Sequence, residues 1–107
     1  MPFTTIALRM KIPGESAYLS SKFAVAGLTE VLAVELAELG ITVNAIGPTP
    51  MRTDLIRNVP EKKIQDLLDR QPIKRLAEYA DIVNCVDFFI SPASDLVSGQ
   101  TIYLGGL

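Results

Sequence analysis

Between Ser16 and Leu39 apolar residues recur almost all the way round a helical turn. Phe23, Val25, Leu28, Val31, Leu32, Val34 and Leu36 alternate with Ala24, Ala26, Ala33 and Ala37, and only Lys22, Thr29, Glu30, Glu35 and Glu38 interrupt them. The pattern predicts one long helix over 16–39, with Gly40 just past the last apolar residue as its stop. A helix apolar on every side is covered on more than one side. One face is therefore expected against a sheet and another against a second helix or subunit. The next run, I-T-V-N-A-I over 41–46, reads as a buried strand. Helix, glycine, strand is the return half of a βαβ unit.

G-P-T-P then ends the strand and opens a loop. After Pro60, a residue suited to a first helical position, Ile64, Leu67 and Leu68 form a narrow apolar stripe on a short helix. A second amphipathic helix is predicted over 78–90. Ile82, Val83, Val86, Phe89 and Ile90 face inward, Asp81, Asn84 and Asp87 face out, and Ser91-Pro92 ends it. Thr101–Leu104 reads as a last short strand. At the other end, residues 1–8 are apolar and β-branched like the tail of a strand, and Pro13-Gly14 is a turn signal.

Composition narrows the function. The chain is 49% apolar over 107 residues and its mean hydropathy is positive. That is more than a small free-standing domain requires and points to surface made for other protein. A net charge of −2 without a basic block argues against nucleic acid and anionic membrane as partners. No membrane-spanning run or secretory signal is read. With no histidine, His-based triads and His metal sites are excluded, and no metal site is expected. The single Cys85 cannot form an internal disulfide, which fits a reducing cytoplasm, and it reads as a small core residue.

Candidate chemistry lies in Y-L-S-S-K. Tyr18 and Lys22 are four residues apart, one turn along the same helix face. An ammonium beside a phenol favours the phenolate, and a tyrosine so placed can give and take a proton. An ordinary partly exposed pair near a helix start has the same spacing, so the pair needs company to be diagnostic.

Two further segments supply it. Y-L-S-S-K, then I-T-V-N-A-I-G-P-T-P-M-R-T, then S-D-L-V-S-G-Q-T-I-Y-L-G-G follow one another with the expected elements between them. Together they resemble the C-terminal half of a short-chain dehydrogenase/reductase, with its Tyr-x-x-x-Lys motif. The resemblance covers nearly the whole chain. It implies an α/β fold: the C-terminal portion of a Rossmann-like doubly wound parallel sheet, three-layer α/β/α, with the N-terminal half absent. Residues 1–107 would be a single partial Rossmann-like domain, with a substrate lid over about 51–72.

The resemblance also assigns roles. It implies an NAD(P)-dependent oxidoreductase that interconverts a carbonyl and an alcohol. Tyr18 would be the general acid/base, and Lys22 would support it and hydrogen-bond the nicotinamide ribose. Thr5 stands where the family has a serine that holds the substrate carbonyl, with Thr4 adjacent. Pro48, Thr49, Met51 and Thr53 would border the nicotinamide; the family usually has Pro-Gly where this chain has Pro48-Thr49. The glycine-rich turn that takes the pyrophosphate has no counterpart among the seven glycines. The residue that distinguishes NAD from NADP and the family's helical asparagine are missing too. Residues 1–5 would be only the end of the sheet's fifth strand, leaving the sixth and seventh. Two strands make a marginal sheet with an open edge. The expected partners are therefore a small carbonyl or alcohol substrate and either a second copy, joined through the helix over 16–39, or a missing N-terminal half. A non-catalytic association module built on that helix is the alternative.

Overall fold

The computed structural model describes residue 14, residues 16–49, residue 51 and residues 60–106. The expected strand tail over 1–8, Thr4, Thr5 and Thr53 lie outside the described residues. The order of elements is α1 (Ser16–Glu35), a 3-10 turn (Ala37–Leu39), β1 (Ala45–Gly47), α2 (Glu61–Arg70), α3 (Tyr79–Ile90), a second 3-10 turn (Pro92–Ser94) and β2 (Thr101–Tyr103). β1 and β2 pair in parallel, with Ala45 opposite Thr101, Ile46 opposite Ile102 and Gly47 opposite Tyr103. This is a small α/β piece of a parallel sheet, as the hydrophobic pattern predicts.

α1 ends four residues earlier than the pattern suggests. Its last stretch tightens into the 3-10 turn, and Gly40 at φ +72° closes that turn with its N–H on the Ala37 carbonyl. The left-handed conformation there costs glycine nothing. The inner stripe of α1 is Leu19, Thr29 and Ala33, all buried, flanked by half-buried Lys22, Val25, Ala26, Leu32 and Leu36. Thr29 is fully buried, and its hydroxyl is satisfied by donating to the Val25 carbonyl at 2.8 Å. The opposite stripe, Phe23, Leu28, Val31 and Val34, is exposed. One of the two expected coverings is thus present within the chain.

β1 is three residues long where six were expected. Residues 41–44 are extended toward β2 but meet an irregular partner. Gly99 donates to the Val43 carbonyl at 2.7 Å, and Val43 N–H donates to Ser98 Oγ at 3.0 Å. Asn44 then bridges both ways. Its Nδ2 donates to the Val97 carbonyl, and its Oδ1 accepts the Gln100 N–H. Side chains do at this end of the pair what a backbone ladder does in a longer strand. Ala45 and Ile46 are fully buried.

Pro60 precedes α2 as its cap, not as its first residue, and its carbonyl accepts from Lys63 and Ile64. Glu61 opens the helix and Arg70 closes it, each suiting the helix dipole. Lys74 reaches back to the Asp69 carbonyl at 2.6 Å and satisfies one of the last acceptors. The expected stripe is present: Ile64 is buried, and Leu67 and Leu68 are half-buried. On α3 the inward face is Phe89, with half-buried Ile82, Cys85 and Val86. Val83 and Ile90 were expected inward and are exposed. With Tyr79 they form a separate stripe on the outer face, because the apolar arc of this helix is wider than the one element it packs against.

Candidate functional site

Tyr18 and Lys22 lie on the first two turns of α1, as their spacing requires. The Lys22 ammonium sits over the Tyr18 ring, 5.6 Å from its centroid, within cation–π range. Tyr18 is 46% exposed and Lys22 is half-buried. The phenol is therefore reachable from solvent while the lysine stem packs along the helix. The start of the helix is organised locally, with the Ser21 hydroxyl donating to the Tyr18 carbonyl at 2.7 Å.

The second group of candidates follows β1. In open parallel sheets, ligands bind beyond the carboxyl ends of the strands. Pro48, Thr49 and Met51 occupy that position, directly after Gly47. Pro48 and Met51 are half-buried, and Thr49 is buried. The Thr49 hydroxyl accepts the Ala77 N–H at 3.1 Å, and Met51 bridges Ala77 in parallel. The loop is thus pinned to the segment that leads into α3.

That segment is itself fixed by charge. The Arg75 guanidinium forks onto Asp81, with its two nitrogens 2.8 and 2.9 Å from the two carboxylate oxygens. Asp81 also accepts the Glu78 N–H at 2.8 Å at the start of α3. Arg75 first, and the Glu78 N–H second, hold the Asp81 carboxyl well below the usual carboxylate range. The same pairing raises Arg75, through the hydrogen bond first and charge second. Next to this fork lies a small cavity of about 140 Å³, bordered by Thr49, Gln71, Ile73, Leu104 and Gly105 among others. Neither Tyr18 nor Lys22 is among its described lining residues.

A larger open groove of about 880 Å³ lies at the opposite end of β1, between residues 40–44 and Phe89–Asp95. It faces the amino ends of the strands, the wrong end of a parallel sheet for a nucleotide. Cys85 stays a packing residue: burial, and then the Asp81 charge, push its thiol up, away from the reactive thiolate. No cluster of metal-ligating side chains exists among the described residues.

Sequence reasoning missed Gln71, Ala77, Gly105 and the Arg75–Asp81 fork. Glu78 and Asp81 stand three apart at the start of α3, a capping-box spacing that marks Asp81, while nothing in the sequence marks Arg75. Nothing in the sequence marks Gln71.

Residues 2–106 match the model of a family described as enoyl-(acyl carrier protein) reductase. Similarity to curated proteins is extensive. A hydroxy(phenyl)methylsuccinyl-CoA dehydrogenase subunit from Thauera aromatica is 42% identical over 93 residues, covering 87% of this chain and 38% of that protein. A 3-oxoacyl-(acyl-carrier-protein) reductase from Staphylococcus epidermidis is 38% identical over 103 residues, covering 96% and 42%. Among solved structures, a short-chain type dehydrogenase/reductase from Mycobacterium ulcerans superposes with a TM-score of 0.87 at 31% identity, covering 95% of this chain and 38% of that one. A 3-oxoacyl-(acyl-carrier protein) reductase from Brucella melitensis gives 0.85 at 28% identity, covering 98% and 40%. The chain belongs to the short-chain dehydrogenase/reductase family and carries part of its Rossmann-type fold. It spans about two fifths of the length of the relatives it matches.

By length and hydropathy alone, α1 would also suit a membrane span. Lys22 and Glu30 argue against that use, since each charge at bilayer depth costs roughly 3 kcal/mol.

Proposed function

We propose that this chain is the tyrosine-bearing part of an NAD(P)-dependent, cytoplasmic oxidoreductase that interconverts a carbonyl and an alcohol. The observation that carries this reading is the placement of the Lys22 ammonium over an accessible Tyr18 in a chain of this family. The donor set fits the nicotinamide end of a dinucleotide: a lysine for ribose hydroxyls, and a loop at the carboxyl end of a parallel strand. Among the described residues, no glycine-rich turn opening a helix offers backbone N–H groups for the pyrophosphate end. When bound, the dinucleotide supplies the hydride. Tyr18 gives its phenolic proton to the substrate oxygen in reduction and takes it back in oxidation. Lys22 keeps its ammonium over the Tyr18 ring and would hydrogen-bond the ribose. Thr5 holds the substrate oxygen, Thr53 takes the carboxamide, and Pro48, Thr49 and Met51 border the ring.

Fluorescence titration with NADH and NADPH tests this. Saturable micromolar binding, abolished in Tyr18→Phe combined with Lys22→Ala, is expected when the chain is joined by an N-terminal half of the fold. Binding that the double variant leaves unchanged refutes the assigned roles.

A second reading rests on the exposed stripe Phe23, Leu28, Val31 and Val34: a non-catalytic module that associates through α1, as a homo-oligomer or with a missing half. A concentration-dependent mass in light scattering, collapsed to monomer by Val34→Asp, supports it. A monomer at all micromolar concentrations rejects it.

A further inference from the structure

We propose that Gln71 is a positioning residue for Thr49 and Met51, acting through the turn over 71–77 and through Gly105. Gln71 is 1% exposed at the end of α2. Its Nε2 donates to the Ile73 carbonyl at 2.6 Å and to the Arg75 carbonyl at 3.0 Å. Both amide hydrogens are therefore used, which fixes the amide's orientation: turned over, its carbonyl would face two other carbonyls. The price is an Oε1 with no hydrogen-bond donor, an uncommon state for a buried polar atom. The side chain shapes a turn at the expense of its own acceptor.

That turn has one product. With its carbonyls drawn onto Gln71, the segment presents the Ala77 N–H to Thr49 Oγ1 and sets Ala77 beside Met51. The third element is the C-terminal turn. Gly105 has φ +94°, and a Cβ on it would fall 2.8 Å from Gln71 Cγ and Cδ and from Thr49 Cγ2. Loop, helix end and C-terminal turn thus meet with no room for a methyl group. The Gly105 carbonyl also accepts the Ile73 N–H at 3.0 Å, and Leu104 donates to Gly47 at 3.0 Å, which returns the network to the end of β1. Displacement of the α2 end is passed to the loop through three contacts.

This deepens the reading above, which alone makes Thr49 and Met51 border the nicotinamide. The test uses no cofactor, so a failure to bind NADH leaves it standing. Residue-resolved hydrogen exchange is measured by NMR on the full 107-residue chain and its variants. The Ala45 amide, which donates to Gln100, serves as the gauge of global stability. In Gln71→Leu the Ala77 and Ile73 amides are expected to exchange at least tenfold faster while Ala45 is unchanged. Thr49→Val should free Ala77 to the same degree, Thr49→Ser should restore its protection, and Gln71→Leu on top of Thr49→Val should add little. Equal acceleration of Ala45 and Ala77 in Gln71→Leu overturns the proposal in favour of general packing. An unchanged Ala77 amide, or full additivity of the two substitutions, overturns it as well.

Discussion

At the scale of single residues, charge and space make separate demands. Asp81 is held ionised by Arg75 and the Glu78 N–H. Its folded-state pKa lies below its unfolded value of about 4, so the stability it contributes is complete above that pH. It is lost as pH falls through the acid range toward the folded value. Thermal melts of wild type and Asp81→Asn should therefore differ by a constant amount between pH 5 and 8, and the gap should narrow steadily as pH falls below about 4. A gap that keeps its full neutral-pH size down to pH 2 contradicts the assignment. Gly105 makes the spatial demand. Gly105→Ala combines a positive φ with overlap against Gln71 and Thr49, and should cost about 2–4 kcal/mol in urea denaturation. Gly27 is the contrasting case. Beyond its own helix backbone and chain neighbours no atom lies within 4 Å of a Cβ placed there, so Gly27→Ala should stabilise an isolated chain by about 1 kcal/mol. Its failure to do so in the assembled state would mark a close helix contact at that point.

At the scale of elements, the sequence was most informative where periodicity and punctuation coincide. α1, with its Gly40 stop, and α2, with its Ile64 stripe, were legible for that reason. Periodicity says which residues are apolar but not how many neighbours an element has. Val83 and Ile90 were read inward because the α3 arc is wide, yet only the Phe89 side is covered here. The length of β1 was illegible because Asn44 and Ser98 replace the ladder with side-chain bonds. Tyr18 and Lys22 were singled out as candidates by their spacing together with the two segments that accompany it. Gln71 could not be, since its importance comes from a meeting of three segments far apart in the chain. Asn44→Ala tests the bridging element: it strips the Gln100 N–H and the Val97 carbonyl of their partners. A loss of about 1–3 kcal/mol is expected, with faster hydrogen exchange at the Gln100 amide.

At the scale of the molecule, the chain exposes 7034 Å², where a compact protein of its mass exposes about 5,800 Å². Its radius of gyration of 14.8 Å likewise exceeds the roughly 13 Å of a compact domain of this length. Leu96 is fully exposed, and Phe23, Leu28, Val31, Val34, Tyr79 and Ile90 add to the apolar surface. Exposed apolar side chains in this number are what an interface with another protein covers. Mixing the chain with an N-terminal half of a relative's fold should therefore raise its melting temperature by several degrees, as binding to the folded state requires. No change in melting temperature would argue that this surface is not completed in that way.

The parallel pairing of β1 with β2 has a consequence in time. Ala45 finds Thr101 only after the residues between them have been made, and contacts so distant in sequence form slowly. Until β2 pairs, β1 has no partner among the described strands, and the inner stripe of α1 lacks the cover that the finished pair gives it. The slow closing of this one pair therefore sets how long apolar surface stays open during refolding, and aggregation in a refolding assay should rise with chain concentration.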